Sequence, residues 1–181
     1  MGRKVIAFFN LLHIAMVYLA KFMMVAMVLI IFVNVVLRYG FNSGLMWSEE
    51  VALLLAVWFI FIAMSLGVKQ NLHINITLIP SAKLSKTVAR ALEILKSLVT
   101  LVVAVVMLLD GWKLVGFTMR SIMPATQWPA GLLYAVLPIS AVVMIYESLT
   151  DLFGIDTRDE AVDRFLSGQG SIRDVLGERH G

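Results

Sequence analysis

The chain has 181 residues, of which 60% are hydrophobic and 15% charged, with a net charge of +3. Typical soluble domains run near about 45 to 50% apolar and about 25% charged, so water is not the main solvent of this chain. It has no cysteine, which excludes disulfides, thiolate metal sites and cysteine nucleophiles.

Residues 1–21 carry Arg3, Lys4, Asn10, His13 and Lys21 among apolar residues. Arg3 and Lys4 ahead of an apolar run resemble a signal peptide. The run resumes beyond Lys21 to Leu37 without a small-residue cleavage site, so the segment is expected to be retained. Phe22 to Leu37 contains only Asn34 as a polar residue. It falls short of the ~20 residues that cross a ~30 Å hydrocarbon core. Starting the helix near Ile14 supplies the deficit and leaves Lys21 to snorkel toward headgroups. Asn34 then either bonds to a neighbouring helix or meets water near the interface.

Arg38-Tyr39-Gly40-Phe41-Asn42-Ser43-Gly44 supplies turn chemistry. A second helix begins at once. Ser48 is placed to cap it, and Glu49 and Glu50 sit in its first turn, toward the positive end of the helix dipole. Trp47 belongs at headgroup level. Val51 to Val68 is uncharged all the way round. Lys69 to Pro80 leaves the membrane; Leu72, Ile74, Ile76 and Leu78 alternate with His73, Asn75 and Thr77, which predicts an extended or interfacial segment. Ser81 to Leu95 is amphipathic, with Lys83, Lys86 and Arg90 on one face, and is expected to lie in the interface.

The uncharged core of the third span, Ser97 to Leu109, is too short to cross. Its charges therefore belong at the rims, with Glu93 and Lys96 at one and Asp110 and Lys113 at the other, each pair at helical spacing. Gly116 to Trp128, broken by Pro124, is the next connection. The fourth span carries Pro129 in its first turn and Pro138 as an expected kink. Glu147 to Gly181 is polar; from Asp151 onward it holds seven acids against four arginines, which argues against a nucleic-acid- or lipid-binding tail.

The expected architecture is an all-α integral membrane protein with four transmembrane helices and an interfacial amphipathic helix. The membrane domain covers 1–152, with spans at about 14–37, 48–68, 93–113 and 128–147, and 153–181 form a polar tail. Twelve Lys and Arg lie on the side of the termini and three (Arg38, Lys113, Arg120) on the other. The positive-inside rule then puts both termini in the cytoplasm and Trp47-Ser48-Glu49-Glu50 outside.

Facing histidines for haem are not expected, because His13, His73 and His180 fall outside the span cores. No nucleotide loop, metal cluster or nucleophile constellation is present, and broken helices in matching halves are absent. No enzyme, cofactor or nucleic-acid partner is expected. A four-span protein with no evident site of its own reads as a partner subunit.

Arg38-Tyr39, then Trp47-Ser48-Glu49-Glu50, Trp58, His73 and the apolar run to Leu78, with Trp128-Pro129, Tyr134 and Leu137-Pro138, resemble the small membrane subunit of tripartite ATP-independent periplasmic (TRAP) transporters, the DctQ-like family. The resemblance covers residues 15 to 150. It departs at Asn75 and Thr77, where the family is commonly charged, and at Val51 to Leu55, where a basic residue is usual. It implies a bacterial inner-membrane scaffold subunit in a sodium-coupled uptake system for an organic acid. The partners would be a large multispanning subunit holding the sodium and substrate sites, a periplasmic substrate-binding protein, and membrane lipids. Arg38, Trp47, Ser48, Glu49, Glu50, Trp58, His73, Asp110 and Lys113 are the candidates for partner-interface or structural roles. The competing readings are a self-sufficient small transporter or channel using Asp110, and a membrane assembly factor.

Overall fold

The computed structural model describes residues 2–69 and 86–153. His73, the segment around it and the polar tail beyond Phe153 lie outside the described residues. Four helices are long and apolar enough to cross a membrane, and among the described residues there is no strand beyond an isolated Ile122–Pro129 bridge. A bilayer leaves no water to satisfy backbone N–H and C=O groups, so a long apolar run closes its hydrogen bonds within itself.

The first helix, α1 (Gly2–Gly40), has 39 residues, roughly 58 Å at 1.5 Å per residue. It starts well ahead of Ile14, because nothing between Arg3 and Tyr39 breaks a helix: that stretch has no glycine or proline. Lys21 is exposed, with its Nζ 5.3 Å from the centre of the Tyr18 ring. The helix stops where Asn42 turns to φ 53°, a left-handed conformation that asparagine tolerates. The N–H groups of Phe41 and Ser43 both return to the Leu37 carbonyl, at 3.1 and 3.0 Å.

The second helix, α2 (Ser48–Lys69), descends beside α1. The third, α3 (Lys86–Thr118), is one continuous helix. The amphipathic stretch expected to lie flat over 81–95 is, from Lys86 onward, the first part of α3, since no glycine or proline separates it from the apolar core. The last crossing is divided into α4 (Gly131–Tyr134) and α5 (Val136–Leu152). The division lies just before Pro138, whose missing N–H and bulky ring disrupt the turn that contains Tyr134.

The helices pack in the order α1, α2, α5, α3. In the most apolar 18-residue windows, only 11% of α1 and 11% of α3 is buried, against 33% for α2 and 44% for the α4–α5 crossing; α2 and α5 are therefore the inner pair. Met16, Met23, Ile62, Leu66, Val136 and Val143 form their main apolar cluster. Small residues let α3 approach α5 closely. Ala104 and Ala141 are fully buried, and a Cβ on Gly111 would stand 3.1 Å from the Leu137 Cβ. Toward the end carrying the termini, Phe9 stacks on Tyr146 at 3.4 Å, and Asn10, His13 and Glu147 are buried. His13, expected just outside the core of the first span, is packed within the bundle. It is the one histidine among the described residues.

Candidate functional site

Of the candidate residues, Arg38, Trp47, Ser48, Glu49 and Glu50 gather at the end of the bundle where α1 meets α2 and α3 meets α4. The organising element is the first turn of α2. The Trp47 carbonyl accepts the Val51 N–H at 3.1 Å, so Trp47 occupies the cap position and Ser48 is already helical. The Ser48 hydroxyl donates backward to the Leu45 carbonyl at 2.6 Å instead of capping forward. The turn Leu45-Met46-Trp47 brings that carbonyl beneath it, and Ser48 is buried as a result. Leu45 is tied a second time, its N–H donating to Asn34 Oδ1 at 2.8 Å. Asn34 thus bonds to the connection that follows its own helix, rather than to a neighbouring helix as one of its two expected settings had it.

Successive helical residues point about 100° apart, and Glu49 and Glu50 diverge accordingly. Glu49 Oε1 lies 3.7 Å from Arg38 Nη1, with both side chains largely in solvent. Glu50 faces the α3–α4 connection. Its Oε1 accepts the Ala125 N–H at 2.8 Å, and its Oε2 accepts both the N–H and the hydroxyl of Thr126 at 2.7 Å. Two successive N–H groups aimed at one carboxylate form a small anion nest, and bonds to an ionised acceptor are stronger than neutral ones.

The connection is shaped to present that nest. Met123 N–H donates to the Trp128 carbonyl and Ala130 N–H to the Ser121 carbonyl, both at 2.8 Å, which draws the loop into a narrow hairpin. Gln127 takes φ 60° at its tip, and its side-chain amide donates to the Pro124 carbonyl at 2.7 Å. Where the loop rejoins the bundle, Gly131 lies so close to Met119 that an added Cβ would fall 2.7 Å from its Cγ and 2.9 Å from its backbone nitrogen. Trp58, deeper in α2, donates its indole N–H to the Leu132 carbonyl at 2.9 Å. Glu50 and Trp58 thus hold the α3–α4 segment to α2 at two heights. Trp47 stays substantially exposed.

Asp110 and Lys113 pair at 3.0 Å on the exposed surface of α3. They stand apart from the Glu49–Glu50 head, with which no contact joins them among the described residues. No group of three histidines, cysteines or carboxylates that could hold a metal occurs among the described residues.

Sequence reasoning missed Thr126, Ala125, Leu132 and Gly131. A polar threonine in a proline-containing connection was the only signal for Thr126. Nothing in the sequence ties it to a glutamate 76 positions away.

Comparison with known proteins bears on what this bundle belongs to. The family described as tripartite ATP-independent periplasmic transporters, DctQ component, matches residues 27–158. A putative TRAP transporter small permease protein of Haemophilus influenzae is 28% identical over 118 residues, covering 65% of this chain and 73% of the relative. A second putative small permease protein from that organism is 30% identical over 128 residues, covering 71% and 77%. The C4-dicarboxylate TRAP transporter small permease protein DctQ of Vibrio cholerae is 37% identical over 59 residues, which span 33% of this chain and 25% of the relative. With a family match across most of its length and a relative 30% identical over 71% of the chain, the chain belongs to the DctQ component family of TRAP transporters.

Proposed function

We propose that this protein is the scaffold subunit of a sodium-coupled, binding-protein-dependent TRAP transporter that takes up an organic acid. Its family is a multi-pass subunit of the bacterial inner membrane and a transporter component, not an enzyme. In this reading a large membrane subunit carries the sodium and substrate sites, and a periplasmic protein delivers the substrate. The small subunit itself needs no cofactor. Both termini face the cytoplasm, as the excess of Lys and Arg on their side favours, and the Glu49–Glu50 head faces the periplasm.

The observation that carries the reading is the use to which the chain puts its charges near the membrane. Glu50 closes a loop of its own subunit, and Asp110 is paired on an exposed helix surface. A transporter's coupling carboxylate faces an interior path and changes partners during the cycle. Glu50 and Asp110, committed in this way, instead fit a rigid support against which another subunit moves.

Reconstitution in proteoliposomes tests the proposal. Vesicles holding both membrane subunits, supplied with the binding protein and a sodium gradient, should accumulate the organic acid. Vesicles holding this chain alone should accumulate none. Uptake by the isolated chain that disappears in Asp110→Asn would overturn the scaffold role in favour of a self-sufficient transporter.

A further inference from the structure

Beside the Arg38–Glu49 pair the structure opens a pocket of about 460 Å³, lined by Asn34, Arg38, Asn42, Leu45, Met46 and Glu49. The Asn34 carbonyl oxygen is used by Leu45 N–H, but its amide N–H₂ has no partner among the described residues, and neither has the Asn42 side chain. Arg38 meets Glu49 through a single 3.7 Å approach, and their side chains are 64% and 77% exposed. The pocket therefore offers an exposed guanidinium, two amide groups and a carboxylate with an unused oxygen. Among the lining residues Met46 is apolar and 86% exposed.

The place of the pocket matters as much as its chemistry. It lies between the last turn of one membrane-length helix and the first turn of the next, the depth at which hydrocarbon gives way to headgroups. A ligand matching it carries an anion and an N–H-bearing cation a few ångströms apart and continues into apolar chains. We propose that this pocket binds the headgroup of a phospholipid bearing a primary amine, of the phosphatidylethanolamine class. The phosphate is held by Arg38 and Asn42, the ammonium donates to Glu49, and the acyl chains lie against Met46 and the exposed side of α1. The proposal requires only that the helices cross the membrane, so its failure would leave the transport role untouched.

The full chain, purified in mild detergent, is given equal amounts of phosphatidylethanolamine, its N-methyl derivative, phosphatidylcholine and phosphatidylglycerol with identical acyl chains. Retained lipid is counted by native mass spectrometry. Retention should fall stepwise as N–H donors are replaced by methyl groups. The amine lipid should exceed phosphatidylcholine and phosphatidylglycerol by about threefold, as expected for one exposed charge-assisted contact. Glu49→Gln should bring phosphatidylethanolamine and phosphatidylcholine to near equality, and Arg38→Ala should lower all phospholipids together. Soluble phosphoethanolamine at the same concentration should not compete. Equal retention of the four lipids by the unaltered chain would overturn the proposal without recourse to any variant. Competition by phosphoethanolamine as strong as by the lipid would overturn the lipid assignment in favour of a soluble zwitterion. Lipid retention unchanged in both variants would also overturn it, the more so if those variants lost copurification with the large subunit, which would make the pocket a protein contact.

Discussion

Glu49 faces Arg38 across 3.7 Å with most of both side chains in water, whereas Glu50, one residue later, accepts three hydrogen bonds of 2.7 to 2.8 Å from Ala125 and Thr126. The two connections at this end of the bundle are therefore held by different means. The α1–α2 connection is short and closes on itself, with Asn34 and Ser48 fastening Leu45 from two sides. It can spare Glu49 for a ligand or a partner. The α3–α4 connection is longer, and its tip is fastened to α2 by a side chain from elsewhere in the chain. The comparison separates two adjacent acids of identical chemistry into a replaceable contact and a structural clamp.

Substitutions that attack the clamped side should do the most damage. Gly131→Ala places a methyl group within 3 Å of the Met119 backbone nitrogen and side chain, where backbone cannot yield as a side chain can. It should cost about 1 to 3 kcal/mol, read as a lower unfolding temperature in detergent and a lower yield of folded protein. An unchanged unfolding temperature would mean that the α3–α4 segment is not held tightly against Met119.

Trp58→Phe keeps most of the apolar ring but removes the donor to the Leu132 carbonyl. The expected loss is about 1 kcal/mol, measured in the same way. Adding Glu50→Ala to Trp58→Phe should cost more than the two single changes summed, because both residues fasten one segment. Strict additivity would show that the two attachments act independently.

On the opposite side, Arg38→Ala should cost no more than about 1 kcal/mol, as exposed ion pairs do. Its effect should shrink further at high salt. A larger or salt-insensitive loss would erase the contrast between the two connections.

Much of this architecture follows from local chemistry. Four apolar runs bounded by charges and turn residues are enough to announce four crossings, and Asp110 and Lys113, three residues apart, meet as helical spacing dictates. The helix ends were less legible. Charges such as Lys21 and Glu93 mark where a membrane begins, but they do not stop a helix, and α1 and α3 run through them to Gly2 and Lys86. Ser48 shows a similar ambiguity: a serine before two glutamates has the composition of a cap, yet the preceding turn offered its hydroxyl a nearer carbonyl.

The clamp itself was the least legible feature. Glu50 and Thr126 are brought together only when the second and fourth crossings stand side by side in the bundle, and no hydrophobic period encodes that contact. Gly131 is similar, since the need for a missing side chain appears only once Met119 has been placed against it.

Amide hydrogen exchange of the full chain in detergent tests the clamp most directly, residue by residue at Ala125 and Thr126, in the unaltered protein and in the Glu49→Ala and Glu50→Ala variants. Loss of the Glu50 carboxylate should speed exchange at both amides by at least about tenfold, because their only acceptor among the described residues is gone, while Glu49→Ala should leave them as protected as before. Equal exchange in all three proteins, or the larger change in Glu49→Ala, would contradict the assignment of Glu50 as the residue that fastens this loop.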